Sequence, residues 1–303
     1  MLPAIFASAE SKVSIAFEKE TKTGLGFEDL VIRPSSALLT SRLYDNHLWN
    51  IDLDSETGSE LVEVPGVNSI IGIARLADDV YVFAAGNMTS DNRVSGAWGL
   101  WKVDLTGSGD QEPVPELITL SPSATRLAGV AVWDGSRVLM SDFYGNKVHV
   151  LDIWTGEWLV PLEHPEIKQP FGIKVHDSSI YISTSEGTIY RLLVDGVAHV
   201  LGTPEIMASD YSLTSYFDIV DDGTIYAVSY DTGKVVEITQ EKKITVIAGD
   251  GDNYKITQMC RSVAAVGRTD GKHRTLYATK SGRKIVSIEY YKYILLTARV
   301  SCL

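Results

Sequence analysis

The residues of this sequence that can act on a small molecule are aromatic, hydroxyl-bearing and cationic side chains next to short apolar strands. The sequence places such residues directly before apolar runs at Phe171, at the pair Tyr216 and Phe217, and at Arg261. Aromatic rings hold apolar molecules, a tyrosine hydroxyl donates a hydrogen bond to developing negative charge, and a guanidinium stabilises an oxyanion. These residue types favour catalysis by orientation and electrostatic stabilisation.

Motifs for other kinds of chemistry are missing from the sequence. It contains no G-x-S-x-G turn, no H-E-x-x-H helix and no Walker phosphate loop. The stretch "GDGDNY" (residues 249–254) resembles part of a calcium loop but lacks the distal acidic ligand, and we interpret it as a turn. The six histidines are scattered without ligand spacing. We therefore expect no cofactor and no metal.

Charge and hydropathy limit the possible partners. The chain has 303 residues and a formal net charge of −12. An acidic surface repels nucleic acid and anionic membranes, so we expect neither as a partner. No apolar run approaches the roughly 18 residues that a membrane-spanning helix requires.

The cysteines and one glycosylation triplet bear on the compartment. Cys260 and Cys302 are the only cysteines; they form one bridge that fixes the tail, which is our prediction, or they are two unrelated thiols. Asn87-Met88-Thr89 is an acceptor for N-glycosylation in a secreted chain. The start "MLPAIFASAESKV" lacks the basic and apolar segments of a signal peptide and is read as a mature start. We expect a secreted protein or one of the secretory pathway, with a cytoplasmic protein as the alternative.

A repeat of about forty residues organises the chain. Short apolar strands recur with markers at Asp29, Gly72, Gly129, Gly172, Asp218 and Ser262, at steps of 43, 57, 43, 46 and 44 residues. Each marker strand is followed by a turn, a second strand and a third strand with alternating apolar residues. Strand runs at this period with almost no helical periodicity indicate a β-propeller. The long step contains the insertion "AGNMTSDNRVSGA" between the second and third strands of blade two.

The sequence predicts an all-β, six-bladed β-propeller with four antiparallel strands in each blade. The predicted blades cover residues 27–66, 67–120, 123–165, 168–204, 212–250 and 259–291. Open sheet edges are avoided if the first and last blades are joined. The alternating segment "KVSIAFEKE" (residues 12–20) is predicted to supply the outer strand of blade six, and the tail "YILLTARV" is the competing candidate.

Several motifs resemble the fungal branch of the senescence-marker-protein/gluconolactonase family. They are "FEDLVIRPSSALLTSRL", "GIARL", "LWKVDL", "PFGIK" and "CRSVAAVGR…TLYATKSG", in the same blade order over nearly the whole chain. The resemblance implies a propeller whose hydrolytic members hold a divalent metal in the channel with Glu, Asn and Asp residues. Related chains typically read L-N-G, N-G-I-K and D-D-F-A at these positions.

This sequence departs from the family's ligand pattern. Ala128 and Phe171 stand where Asn is typical, and Ser215 and Tyr216 replace an Asp pair, so only Glu28 can match an original carboxylate. One carboxylate cannot supply the six or so oxygen ligands of a hard divalent cation. The resemblance therefore implies an aromatic pocket for apolar small molecules instead of a metal cage.

Within the family, this departure is similar to the hetero-Diels–Alderases of tropolonic sesquiterpenoid biosynthesis. Such an enzyme joins a tropolone-derived quinone methide to a humulene-type alkene, a cofactor-free cycloaddition. The resemblance assigns wall, donor and cation roles to residues before inner strands and in second-to-third-strand turns. The walls are Phe171, Phe217, Phe143 and Trp98, the donors Tyr216, Tyr144 and Tyr230, the cations Arg261, Arg42 and Lys280, and the further lining residues Leu127 and Asn87.

Two other functions remain open from the sequence. One is a metal-dependent lactonase or ester hydrolase of the gluconolactonase type, and the other is a propeller that binds a partner without catalysis. A closed aromatic cavity favours the small-molecule enzyme, whereas a flat face with a filled channel favours the binding propeller.

Overall fold

Six four-stranded antiparallel sheets make up the protein in the computed structural model. The structure describes residues 10–19, 26–89, 97–107, 112–209, 212–251, 254–265 and 273–291. One short helix, α1 (Tyr254–Thr257), lies in this part of the chain. The prediction of a six-bladed β-propeller with four strands per blade is confirmed. Among the described residues, no helix is long and apolar enough to cross a bilayer.

The first three blades are built from consecutive strands. Blade 1 contains β2 (Phe27–Ile32), β3 (Leu38–Arg42), β4 (His47–Asp52) and β5 (Thr57–Glu63). Blade 2 contains β6 (Ser69–Ala77), β7 (Val80–Gly86), β8 (Trp98–Asp104) and β9 (Glu116–Leu120). Blade 3 contains β10 (Leu127–Val132), β11 (Arg137–Asp142), β12 (Lys147–Asp152) and β13 (Glu157–Trp158).

The remaining blades follow the same order, except that blade 6 takes its outer strand from the beginning of the chain. Blade 4 contains β14 (Pro170–His176), β15 (Ser179–Thr184), β16 (Ile189–Leu193) and β17 (Glu205–Ala208). Blade 5 contains β18 (Phe217–Ile219), β19 (Ile225–Val228), β20 (Val235–Ile238) and β21 (Ile244–Ala248). Blade 6 contains β22 (Cys260–Ala265), β23 (His273–Lys280), β24 (Lys284–Tyr291) and β1 (Glu10–Glu18).

The propeller is closed by the N-terminal strand. β1 pairs antiparallel with β24, with Val13 opposite Ile288. Closure of this kind puts strands from both ends of the chain into the sheet of blade 6, and β1 covers the edge that β24 would otherwise expose. The predicted closing strand is confirmed, and the competing segment, residues 293–300, lies outside the described residues.

Apolar side chains fill the space between neighbouring blades. A buried cluster lies at each of the six interfaces; the one between blades 4 and 5, for example, contains Tyr181, Ile189 and Phe217. Second strands are covered by adjacent blades on both faces, and all six residues of β15 are buried. This explains why the sequences of these strands are continuous runs of apolar or small residues, without the alternation of apolar and polar residues that a half-exposed strand shows.

Hydroxyl side chains on four of the second strands, β3, β11, β15 and β23, link a blade to the next one. Ser183 Oγ accepts a hydrogen bond from Gly172 N (2.8 Å) and donates one to the Ser215 carbonyl of blade 5 (2.7 Å). Thr279 Oγ1 donates to the Glu28 carbonyl of blade 1 (2.8 Å). Ser141 likewise donates to the Phe171 carbonyl. These hydrogen bonds fix the backbone where the inner strands begin.

Glycine at the marker positions permits close approach of the blades. A Cβ added to Gly129 would overlap the carbonyl oxygen of Phe171 and crowd the amide of Ile173 in blade 4, whereas one added to Gly135 would meet open space. We expect Gly129→Ala to lower the free energy of unfolding by about 1–3 kcal/mol, because the blade interface would be overpacked. Urea unfolding measures this, with Gly135→Ala as the matched control. Equal stability of the two variants would contradict the explanation.

Candidate functional site at the channel mouth

One face of the propeller brings together seven side chains around the central channel. The inner strands begin at this face, and the turns between second and third strands lie beside them, because Leu127 of β10 pairs with Asp142 at the end of β11. We call this group the mouth cluster, and its members are Glu28, Arg126, Phe143, Phe171, Tyr216, Tyr230 and Arg261.

Aromatic rings form one side of the mouth cluster. The rings of Phe171 and Tyr216 lie 4.8 Å apart between centroids, and those of Phe143 and Phe171 lie 5.8 Å apart at 88°. Tyr144 extends this row, with its ring 5.0 Å from that of Phe143. Edge-to-face geometry of this kind is favourable for aromatic pairs. The row therefore offers a preorganised wall for an apolar ligand.

Two guanidinium groups and one carboxylate form the other side. Arg261 Nη1 lies 2.9 Å from Glu28 Oε1, and the Arg261 guanidinium lies 4.9 Å from the centre of the Tyr230 ring. The guanidinium of Arg126 lies 5.1 Å from the centre of the Phe143 ring and 5.8 Å from that of Phe171. Both cations thus rest on aromatic rings, an arrangement that stabilises them electrostatically.

Several buried polar atoms of the mouth cluster have no hydrogen-bond partner within the described part of the chain. They are Tyr216 Oη, Glu28 Oε2, Arg126 Nε and Arg261 Nε. A buried donor or acceptor without a partner costs free energy, and such groups concentrate at functional sites. The unpaired atoms are therefore suited to bind a polar group of a ligand.

The protonation of these groups follows from their burial. Burial raises the pKa of Tyr216 well above its ordinary value, and the carboxylates of Asp29 and Glu28 raise it further. Burial also raises the pKa of Glu28, although Arg261 and Arg126 counteract part of this effect. Tyr216 therefore remains protonated and can donate a hydrogen bond.

Asp142 holds the chain segment that carries Arg126. Its carboxylate accepts hydrogen bonds from the Arg126 amide (3.0 Å), from Thr125 Oγ1 (2.6 Å) and from the Gly145 amide (3.2 Å). Its Oδ2 also lies 3.1 Å from His149 Nε2. Burial alone would raise the pKa of Asp142, but the hydrogen bonds from His149, Thr125 and Arg126 lower it to about 2.

This lowered pKa predicts a dependence of stability on pH. The ionised Asp142 stabilises the folded state above its unfolded pKa of about 4, and this contribution is lost as the pH falls toward about 2. We expect Asp142→Asn to have a free energy of unfolding about 2 kcal/mol below that of the wild type at pH 7. At pH 2 the difference between the two should be smaller. Denaturant titrations at several pH values measure the difference, with the exposed Asp231→Asn as control. A pH-independent difference would contradict the role of the ionised carboxylate.

Trp98 and Leu127, predicted as wall and lining residues, lie in the apolar cluster beneath the mouth. Both are fully or almost fully buried and share this cluster with Phe171 and Tyr216. They support the aromatic wall from behind.

Four other predicted residues are not brought to the mouth by any described contact. Phe217 is buried in the cluster between blades 4 and 5. Arg42 pairs with Asp45 at 2.6 Å. Lys280 Nζ donates to the carbonyls of Gln258 (2.6 Å) and Lys255 (3.2 Å). Asn87 is exposed, and its side-chain amide donates to the Gly66 carbonyl at 3.0 Å.

The predicted disulfide involves a residue outside the described part of the chain. Cys260 is buried at the start of β22, and burial raises the pKa of its thiol to about 12. Cys302 lies in residues 292–303, which the structure does not describe. The bridge therefore stays a prediction.

Arg126 is the mouth residue that the sequence analysis did not select. It stands one position before β10, immediately before the predicted lining residue Leu127. The signal available in the sequence was its position, since Arg261 also stands where an inner strand begins. Among the described residues, no group of three or more His, Cys, Asp and Glu side chains is arranged to hold a metal ion.

Comparisons with known proteins show a shared fold at low sequence identity. No family model matches the sequence, and no curated protein is similar to it in sequence. Virginiamycin B lyase from Staphylococcus aureus is 11% identical with a TM-score of 0.59, over 93% of this chain and 99% of that chain. An auxiliary nutrient binding protein from Bacteroides thetaiotaomicron is 16% identical with a TM-score of 0.66, over 94% of this chain and 78% of that chain.

A structure of a nidogen/laminin complex gives a further match, at 15% identity and a TM-score of 0.60, over 83% of this chain and 97% of that chain. The similar structures thus include an enzyme, a binding protein and a protein–protein complex. Because one fold serves unrelated functions, likeness at these identities carries the architecture alone. The chain is a six-bladed β-propeller.

Proposed function

We propose that the mouth cluster binds an apolar small molecule with a polarised oxygen and catalyses a hetero-Diels–Alder cycloaddition. The substrates would be a tropolone-derived quinone methide and a humulene-type alkene, in line with the resemblance of the sequence. The observation that carries the proposal is the buried hydroxyl of Tyr216, which has no hydrogen-bond partner among the described residues and lies beside the ring of Phe171 and close to Arg261. A hydrogen-bond donor, an aromatic wall and a cation are thus available at one place.

The reaction needs orientation more than it needs a reactive side chain. The quinone methide forms when a hydroxymethyl tropolone loses water, and its carbonyl oxygen and exocyclic carbon then add across the alkene. One C–C bond and one C–O bond form in that step, and no atom leaves. Holding two reactants in the reactive geometry can contribute roughly 7–11 kcal/mol in well-oriented cases.

The residues of the mouth cluster have separate roles in this scheme. Tyr216 donates a hydrogen bond to the tropolone oxygen, which is negative when the precursor ionises and gains negative charge again as the quinone methide accepts electron density from the alkene. Arg261 stabilises the same oxygen electrostatically. The row Phe171, Phe143 and Tyr144 holds the planar ring and reduces its exposure to water.

The charge of the mouth cluster disfavours the hydrolase alternative. Glu28 is the one carboxylate of the cluster, and Arg261 occupies its Oε1. The positive charge of a second guanidinium, that of Arg126, also lowers the pKa of Glu28. Two nearby cations would repel a divalent metal ion, which requires several oxygen ligands. A binding propeller without catalysis remains the second candidate, because an aromatic row beside two guanidinium groups can also hold a ligand without transforming it.

Product formation tests the proposal. We would incubate the purified chain with a hydroxymethyl tropolone and a humulene-type alkene and follow the adduct by liquid chromatography and mass spectrometry. We expect adduct formation faster than without protein, and a loss of at least ten-fold in Tyr216→Phe, equal to about 1.4 kcal/mol of transition-state stabilisation. Tyr277→Phe is the matched control, because Tyr277 lines a cavity at the opposite face. Binding without any rate enhancement would favour the binding propeller.

A further inference from the structure

The mouth cluster contains more positive than negative charge. Its two guanidinium groups, on Arg126 and Arg261, face one carboxylate, that of Glu28. Both arginines act electrostatically on Glu28 and on the hydroxyl of Tyr216, so all four groups lie in one small volume. An arginine side chain does not lose its proton in proteins. The excess positive charge is therefore permanent, although the whole chain carries a formal net charge of −12.

Arg126 has no carboxylate partner in the region that the structure describes. Its guanidinium contacts the rings of Phe143 and Phe171, and its buried Nε has no hydrogen-bond partner there. The Asp142 carboxylate accepts from the Arg126 main-chain amide. The side chain of Arg126 is consequently held in place by aromatic contacts, with donor capacity left for a ligand.

The other carboxylates near the mouth are already engaged. Asp29 is buried and accepts hydrogen bonds from the amides of Leu30 (2.9 Å) and Ile73 (3.0 Å) and from Ser262 Oγ (2.8 Å). Lys174 also acts on Asp29 and offsets its charge. The charge of Asp29 acts on Tyr216, but the described hydrogen-bond partners of its carboxylate are these amides and this hydroxyl, and not a guanidinium of the mouth cluster.

We infer that the mouth cluster takes its ligand as a planar oxyanion, and that Arg126 determines this preference. The ligand class is a cyclic enolate with neighbouring oxygens, of which the tropolonate anion is one member. Guanidinium groups bind paired oxygens through short, charge-assisted hydrogen bonds, while Phe171 contacts the ring of the ligand. The inference rests on the proposed function, because it names the ionisation state of the substrate at the same site.

Binding of tropolone and of its O-methyl ether tests the inference. The two molecules share the seven-membered ring, but only tropolone ionises. We would titrate each into the full chain by calorimetry at a pH where tropolone is an anion, with EDTA present to remove trace metal. We expect the wild type to bind tropolone at least about ten-fold more tightly than the ether, and Arg126→Gln to lose this preference. Arg126→Lys, which keeps the charge but loses the planar fork, should retain part of it.

Arg137→Gln is the matched control. Arg137 belongs to the same blade and lies over the Trp133 ring at 4.1 Å, but at the turn between β10 and β11, at the opposite face. This variant should keep the full preference for tropolone. Thermal unfolding of every variant establishes that the folded protein is being titrated.

The outcomes separate this inference from the proposed function. Equal affinity of the wild type for both molecules, or no binding of either, would overturn the inference. A preference that survives in Arg126→Gln would overturn the assignment to Arg126. A preference for tropolone without adduct formation would support the inference and reject the cycloaddition. Adduct formation without such a preference would support the cycloaddition and overturn the inference.

Discussion

Replacement of Arg261 by methionine should lower the free energy of unfolding by about 3 kcal/mol at neutral pH. The Glu28 side chain is 2% exposed, and Arg261 Nη1 is the group that hydrogen-bonds its Oε1. Removing one partner of a buried ion pair costs about 3–5 kcal/mol, because the other charge stays buried without compensation. Arg261 is 27% exposed, so we expect the lower end of this range.

The same variant should show a characteristic pH dependence. Burial raises the pKa of Glu28, and Arg261 is the largest influence that lowers it. Without Arg261 the pKa of Glu28 rises further, so the folded variant retains a proton that the unfolded chain releases. The variant is then stabilised at low pH and loses stability as the pH rises above the ordinary value of 4.5. Its deficit relative to the wild type should therefore widen from acid to neutral pH.

Two further variants control this result. Glu28→Gln combined with Arg261→Met removes both charges and should recover most of the lost stability. Arg191→Met breaks the more exposed pair with Glu205, whose side chains are 30% and 36% exposed, and should cost less than about 1 kcal/mol. A double variant as unstable as Arg261→Met alone would show that the effect comes from lost packing instead of an uncompensated charge.

Phe171→Ala should reduce both catalysis and stability. Phe171 is 8% exposed and contacts the rings of Tyr216 and Phe143 and the guanidinium of Arg126. Truncation of a buried phenylalanine costs about 3–5 kcal/mol, and we expect about 3 because one side of the ring borders the mouth. Turnover per folded molecule should fall by at least about ten-fold, since the wall that orients the substrate is lost.

The contribution of Phe171 to catalysis is separated from its contribution to folding by a second pair of variants. Phe171→Leu and Phe83→Leu make the same change, but Phe83 is fully buried between blades 1 and 2, away from the mouth. Both should lower the melting temperature, and only Phe171→Leu should lower turnover per folded molecule. Equal turnover in the two variants would make Phe171 a packing residue.

Much of the fold was predictable from the sequence, because the repeat is visible in the order of apolar strands. The closing strand was predictable from the alternation of residues 12–20, which a half-buried outer strand requires. The hydrogen bonds between blades were not predictable. Ser183 donates to the Ser215 carbonyl and Thr279 to the Glu28 carbonyl, in each case across the gap between two neighbouring sheets. Such contacts depend on how closely the blades approach.

The candidate site was predictable only in part, because a sequence does not state which way a side chain points where a strand begins. Tyr216 and Phe217 are neighbours, and successive side chains of an extended chain point to opposite sides. Accordingly, Tyr216 contacts Phe171, while Phe217 packs between blades 4 and 5. Arg126 was missed although it precedes β10 by one residue, as Tyr216 precedes β18. Its role depends on long-range ring contacts.

The stereochemistry of the adduct tests the central claim most directly. A quinone methide and an achiral humulene-type alkene give a racemic adduct without protein, because nothing distinguishes their faces. If the mouth cluster holds both reactants, the wild type should yield one enantiomer in large excess, and Phe171→Ala should erode that excess. Chiral chromatography of the product measures the ratio. A racemic adduct, formed at the uncatalysed rate in the presence of folded wild-type protein, would contradict the account.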